Sequence, residues 1–279
     1  QIDALSVYVS SLKDPPSARF LETILKTVQP DIILNATGFS VSNPEKHNLS
    51  PLDVTTAPIL QVIFSGSTQE DWESSLKGLS AKDIAMNVAL PEVDGRILSR
   101  AVSFKSEKIF NVETESSIIT HTALPDRIDF VCELAKNWTK LARSKISDRR
   151  ISIILANYPN KDGRIGNGVG LDTLASVVKL LDVMKDEGYI IPSCPANGEE
   201  LINILKSGQT NAASKNRSYP SESKLSLKRY LVFFQNLDEN IKNLITSRWG
   251  SPESDPYFSA DENNFRLPVS KLGNIIIAI

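Results

Sequence analysis

The sequence predicts an α/β protein of two Rossmann-like lobes, each with a mainly parallel sheet flanked by helices. Three observations predict it. Short apolar β-rich runs alternate with segments of helical periodicity. Runs such as ILQVIF (59–64) and IILA (153–156) lack the polar alternation of a half-exposed strand, which suits strands covered on both faces. The same strand–helix grammar restarts near residue 150, after a long helix. The expected division is therefore 1–124 for the first lobe, and 125–279 for the connecting helix and second lobe.

In the first lobe, LSVYVSSL (5–12) reads as a β run. Pro15 and Pro16 suit a helix start, and Phe20, Leu21, Ile24, Leu25 and Val28 follow at helical spacing. DIILNATGF (31–39) and PILQVIF (58–64) read as buried strands. Ser67 with Glu70 has capping-box spacing and predicts a helix to about Gly78. DIAMNVAL (83–90) reads as a fourth strand and AVSFK (101–105) as a candidate fifth. Residues 106–124 are rich in Ser, Thr and Glu and read as a loop with room for one short strand, SIITHT.

Pro125 to about Ile146 predicts a long helix, with Ile128, Val131, Leu134, Ala135, Trp138, Leu141 and Ala142 on one stripe. Its basic end (Lys140, Arg143, Lys145) complements the helix dipole. RISIILANY (150–158) opens the second lobe, and a helix follows from about Leu171 to Glu187, closed by Gly188. YIIP (189–192) reads as a strand, and Asn197 with Glu200 caps a helix ending near Gly208. Residues 208–224 are polar and Ser-rich, 224–250 contain another amphipathic helix, and 251–268 read as irregular. The run GNIIIAI (273–279) reads as a strand that is an edge liability if left unpaired, and it points to a piece of a longer multidomain polypeptide.

Composition excludes several function classes. A net charge of −2 disfavours binding to nucleic acid through a cationic surplus. With 41% hydrophobic and 23% charged residues, the chain can bury a real core and is not of disordered composition. Its apolar runs fall far short of the roughly 20 residues that a membrane-spanning helix needs. Cysteines number 2, too few for a disulfide framework, and are expected to be reduced in a cytoplasmic protein.

The segment NYPNKDGRIGNGVGLDT (157–173) carries the strongest chemical signal. Gly163, Gly166, Gly168 and Gly170 stand between a strand and a helix, where positive φ lets backbone approach a ligand and the helix start offers unpaired N–H groups. Neither the dinucleotide fingerprint nor a Gly-Lys-Ser/Thr phosphate loop is present, and Asp172 at the helix start would repel a phosphate. The alternative is that these glycines only shape a tight turn.

The second signal is LPEVDGRI (90–97). In an extended strand Glu92 and Asp94 would project to one side, beside Arg96, where paired carboxylates can hold a divalent ion or exchange protons. Asp94-Gly95 is equally a common turn. His47 and His121 are the only imidazoles, and neither has the spacing of a zinc ligand set.

These motifs carry a family resemblance. LPEVDGRI, then AVSFK, then RISIILANYPNKDGRIGNGVGLDTLASVVKLLDVMKDEGY resembles the cobaltochelatase large-subunit (CobN) family, whose framework the magnesium chelatase H subunits share. SSLKDP (10–15), DIILNATGF (31–39) and LGNIIIAI (272–279) match in order and spacing, so the resemblance covers essentially the whole chain. DGRIGNGVGLDT is more similar to the cobalt branch than to the magnesium branch, which would load Mg2+ into protoporphyrin IX.

The resemblance implies part of an ATP-dependent ligase that forms nitrogen–metal bonds, inserting Co2+ into a corrin-ring precursor in cobalamin biosynthesis. It implies a tetrapyrrole substrate, an AAA+ ATPase subunit that binds ATP and Mg2+, and a bridging subunit. Family motifs rich in Pro and His would lie beyond Ile279, leaving this segment inactive alone. On that reading Glu92 and Asp94 handle metal or protons, and Arg96 and Lys105 meet anionic ring substituents. Asn157, Tyr158, Asp162, Arg164, Asn167 and Asp172 line the glycine-rich mouth. The competing class is an α/β domain that binds a nucleotide or another phosphorylated ligand.

Overall fold

The computed structural model describes residues 3–42, 50–156, 166, 168–210 and 223–279. The chain forms two compact units, residues 1–143 and 144–279.

In the first unit, helix α1 (Pro15–Val28) starts where the prolines predict. Asp14 caps it by accepting the Ser17 N–H at 3.0 Å, and Leu21 and Leu25 are its buried face. Strand β1 (Ile33–Asn35) and strand β2 (Ile59–Thr68) pair in parallel. Helix α2 (Gln69–Ser74) follows, capped by Thr68 on the Asp71 N–H, one residue later than the Ser67–Glu70 spacing suggests.

Residues 83–90 depart from expectation. They form helix, not strand: α3 (Ala81–Ile84), a π-helical turn (Ala85–Ala89) and α4 (Leu90–Val93) run on continuously. An apolar run of this length does not distinguish strand from buried helix. Here Ser80 caps the start through the Asp83 N–H, and Pro91 comes just after the π-helical turn.

Strand β3 (Ile97–Asn111) contains AVSFK and pairs in parallel with β2. Strand β4 (Ser116–Ala123) turns back antiparallel on it, with Lys105 opposite His121 and Ile109 opposite Ile118. The segment that reads as a loop is therefore a long hairpin. Its β4 is exposed throughout, so no buried face imprints an alternating pattern on the sequence. The sheet order is β1-β2-β3-β4.

Helix α5 (Pro125–Arg143) lies over this sheet, with Val131 packed on Val62 and Val102. The helix that the sequence groups with the second lobe thus packs on the first. Ile63, Ala101 and Phe104 pack with Trp72, Leu79 and Val88 in a separate cluster. Successive strand residues face opposite ways, so Val62 and Ile63 put helices on both faces of the sheet, as the α/β reading requires. Leu60 is 0% exposed and Ile63 and Phe104 each 1%; burying such a side chain contributes about 1.5–3 kcal/mol. LSVYVSSL is no strand: Val7 and Val9 pack toward Leu12, Leu21 and Leu25, while Leu5 and Tyr8 are exposed.

The second unit begins with β5 (Ile151–Ile154), then α6 (Thr173–Asp186) and α7 (Gly198–Ser207). Asn197 caps α7 through the Glu200 N–H at 2.9 Å, as the spacing predicts, and Gly188 follows the end of α6. β6 (Lys224–Ser226), α8 (Leu227–Gln235) and α9 (Glu239–Trp249) come next; the expected single helix is two, with Asp238 capping the second. β7 (Phe258–Ser259) and β8 (Asn264–Arg266) lie in the stretch that reads as irregular and form the antiparallel sheet β6-β8-β7.

β9 (Val269–Leu272) and β10 (Ile275–Ala278) complete the main sheet, ordered β5-β10-β9. β10 is its centre, parallel to β5 and antiparallel to β9, so the apolar run GNIIIAI is no exposed edge. Ile275 and Ile277 are 0% exposed and pack with Leu181 and Leu201 of the two helices.

YIIP pairs in no strand, yet Ile191 is buried and the Ile190 carbonyl accepts the Asn274 N–H at 2.9 Å. That contact explains Gly273, whose φ is +64°. A Cβ there would stand 2.3 Å from the Ile190 carbonyl oxygen.

Candidate functional site

Three neighbouring strands of the first unit hold a chain of polar side chains inside an apolar sheet. Asn35 ends β1, Gln61 lies within β2 opposite Asn35, and Arg96 immediately precedes β3. Asn35 Nδ2 donates to Gln61 Oε1 at 2.7 Å, and Gln61 Nε2 donates to the Thr37 carbonyl at 3.1 Å. Arg96 Nη1 donates to the Thr37 carbonyl at 3.0 Å and to Gln61 Oε1 at 3.3 Å.

Arg96 Nη2 reaches Asp94 Oδ2 at 3.0 Å, and both side chains are 0% exposed. Asp94 in turn collects the loop after β1. It accepts from the Ser40 and Ser42 hydroxyls, each at 2.5 Å, and from the N–H groups of Val41 at 2.9 Å and Ser42 at 3.1 Å. The same loop is tied to the π-helical turn by the Phe39 N–H on the Met86 carbonyl at 2.8 Å. Phe39 holds φ at 65°, a backbone strain that such over-determined contacts maintain. Burial alone would raise the Asp94 pKa. The hydrogen bonds from Ser40, Ser42 and the two backbone N–H groups together outweigh it and hold the carboxyl below the usual carboxylate range. Burial lowers the Arg96 pKa, with the Asp94 charge acting against it.

Glu92 differs from Asp94. Because 90–93 is a helical turn, the two carboxylates do not share one side of a strand, which corrects the extended geometry expected from the sequence. Glu92 is exposed, and it lines a cavity of about 60 Å3 with Gln61, Val88, Arg96 and Leu98. Asp94 faces the loop after β1 with its acceptors occupied, and its role in this geometry is to hold Arg96. The guanidinium of Arg96 is turned inward, so its terminal nitrogens face Asp94, Thr37 and Gln61 in place of the anionic substituents expected for it.

Lys105 lies farther along β3, opposite His121. At about 3.3 Å of rise per residue, its backbone is roughly 20 Å along the strand from Leu98. The structure thus brings Glu92, Asp94 and Arg96 together and leaves Lys105 apart.

In the second unit, Asn157, Tyr158, Asp162, Arg164 and Asn167 lie outside the described residues. Gly166 and Gly170 have φ of 66° and 75°, as the glycine pattern predicts. Asp172 caps α6, accepting the Ala175 N–H at 3.0 Å.

Sequence reasoning missed Asn35, Thr37, Ser40, Ser42 and Gln61. The available signal was a single polar residue inside each apolar run, Asn35 in IILNA and Gln61 in ILQVI. It also missed Asp83, which is buried and accepts from Ser65, Ser80 and the Gly66 N–H. No group of three or more metal-ligating side chains occurs among the described residues, and no helix among them is long and apolar enough to cross a membrane.

The family model CobN/Magnesium Chelatase matches residues 1–279. The aerobic cobaltochelatase subunit CobN of a Sinorhizobium species is 48% identical over all of this chain, which covers 22% of that protein. The subunit of the same name from Pseudomonas aeruginosa is 39% identical over 92% of the chain and 20% of its own length. The rice chloroplast magnesium-chelatase subunit ChlH is 25% identical over 95% of the chain. The catalytic subunit of cobaltochelatase from Mycobacterium tuberculosis superposes with a TM-score of 0.75 at 26% identity, over 97% of this chain and 22% of that one. The chain spans about a fifth of the length of the relatives it matches. With its whole length matched by the family model, the chain belongs to the CobN/magnesium chelatase family.

Proposed function

We propose that this chain is part of the large subunit of an aerobic cobaltochelatase, which inserts Co2+ into a corrin-ring precursor. The observation that carries the reading is the 48% identity to a cobaltochelatase CobN along the entire chain, against 25% to a magnesium chelatase subunit. The family resemblance of its motifs supports a full enzyme that is an ATP-dependent ligase forming nitrogen–metal bonds. An AAA+ partner subunit binds ATP and Mg2+, and a further subunit bridges them.

The side chains suit part of this chemistry. Inserting a divalent ion into a macrocycle releases the protons of pyrrole N–H groups, and a carboxylate can accept them or carry the ion. Glu92 is the exposed carboxylate here, with Asp94 and Arg96 fixing the chain beside it. In the first unit Lys105 offers a cation to anionic ring substituents; in the second, Asn157, Tyr158, Asp162, Arg164, Asn167 and Asp172 line the glycine-rich mouth, where the Asn and Arg side chains suit carboxylate and amide groups. ATP hydrolysis on the partner supplies the energy for stripping the ion's water, through a conformational change.

The test is optical. A corrin-type tetrapyrrole is titrated into the full-length subunit, and its absorbance spectrum is followed. A saturable spectral shift without added ATP is expected. An unchanged spectrum, with thermal stabilisation of the protein by ATP instead, would favour a nucleotide-binding domain and remove the chelatase reading.

A further inference from the structure

Strand β4 (Ser116–Ala123) ends the order of the first sheet, so one side of its backbone has no strand to pair with among the described residues. An open edge is a template for another strand, and proteins blunt it by shortening it, by placing charge or proline in it, or by bulging it. β4 has none of these devices. It is 8 residues long, and its sequence SSIITHTA contains no Asp, Glu, Lys, Arg or Pro. The register shift between Ser106 and Ile109 adds its extra residue to β3, and β4 stays regular. The opposite edge of the sheet, β1, is only 3 residues long.

The faces of the hairpin are as bare as its edge. Ile109 and Ile118 stand opposite one another and share one face, while Phe110 and Ile119, their neighbours in sequence, point to the other. All four are 42–60% exposed. A two-stranded ribbon is at best marginally stable alone in water. Its occupant has an edge and two faces to cover. A second copy pairing β4 on β4 would leave both faces bare. A separate subunit would leave the charge-free edge open whenever it was absent, which is the aggregation hazard that edges avoid. A cover that is always present belongs to the same polypeptide, and this chain covers only 22% of a full-length relative.

We propose that in the full-length subunit the β3–β4 hairpin is embedded in the part of the polypeptide outside residues 1–279, and that an extended apolar segment from there adds as a strand to the free edge of β4. This contact fixes the first unit to the rest of the subunit. The inference needs a longer subunit and no particular chemistry, so it stands or falls separately from the chelatase reading.

The test uses the full-length subunit without its partner subunits. One variant carries Ile119→p-benzoylphenylalanine and a second Ile118→p-benzoylphenylalanine, one probe on each face. Each is irradiated, digested and mapped by mass spectrometry. The expected result is a cross-link within one polypeptide, to a peptide outside residues 1–279. Cross-links that stay within 1–279, that join two copies, or that form only after partner subunits are added overturn the inference. So does the absence of any cross-link in both folded variants. Hydrogen exchange on the unmodified subunit decides the matter if neither variant folds. An open edge leaves alternate N–H groups of β4 to solvent, whereas a paired edge engages them all. Every amide of residues 117–123 should then exchange at least about 100-fold more slowly than in an unfolded peptide. Alternate amides exchanging at the unfolded rate overturn the inference.

Discussion

Asp94 and Arg96, separated only by Gly95, form a 3.0 Å ion pair with both side chains fully buried. The pair closes a seam between the loop after β1 and the start of β3, because Asp94 holds Ser40 and Ser42 while Arg96 holds Thr37 and Gln61.

Removing one partner leaves a buried charge uncompensated. Asp94→Asn should therefore destabilise the protein by about 3–5 kcal/mol, read as a lower urea midpoint. The sign of the pH dependence follows from the depressed Asp94 pKa. Its stabilisation is complete above the unfolded carboxylate pKa of about 4 and is lost as pH falls through the lower folded value. Wild-type stability should fall in that acid window, and Asp94→Asn should lose this part of the slope.

Gly273→Ala should be severe for so small a change. The new Cβ would press on the Ile190 carbonyl at a backbone angle that L-residues avoid. A loss of at least about 2 kcal/mol is expected, seen as a lower melting temperature. An unchanged melting temperature would show that the β9–β10 turn relaxes away from Ile190.

Asp172 has two roles that substitution can separate. Asp172→Ala removes the α6 cap and should cost about 1 kcal/mol. Asp172→Asn keeps a capping oxygen and should be near neutral for stability. If the carboxylate charge also serves the substrate, Asp172→Asn in the full-length subunit should alter the KM for the tetrapyrrole while the melting temperature stays put.

Much of the fold was legible where a local signal existed. Pro15 and Pro16 announce α1 because a first helical turn needs no N–H from them, and Asn197 before Glu200 announces α7 through the backbone donor it satisfies. Residues 83–90, mostly apolar apart from Asp83 and Asn87, are too short a run to tell a buried strand from a helix, and the deciding Ser80 cap lies outside them. LSVYVSSL and YIIP carry strand composition but find no partner, since pairing is a tertiary fact. At the site, LPEVDGRI marks the right neighbourhood. The separate roles of Glu92 and Asp94 were not legible, because they depend on the helical turn at 90–93 and on Ser40 and Ser42, more than fifty residues earlier.

The central claim is that Glu92 handles protons or metal for a chelatase. Its most direct test is cobalt insertion by the full-length subunit carrying Glu92→Gln, with partner subunits and ATP. The account predicts that turnover falls about 100-fold or more, the scale of losing a general base, while tetrapyrrole binding and the melting temperature stay at wild-type values. Wild-type turnover in that variant would contradict it.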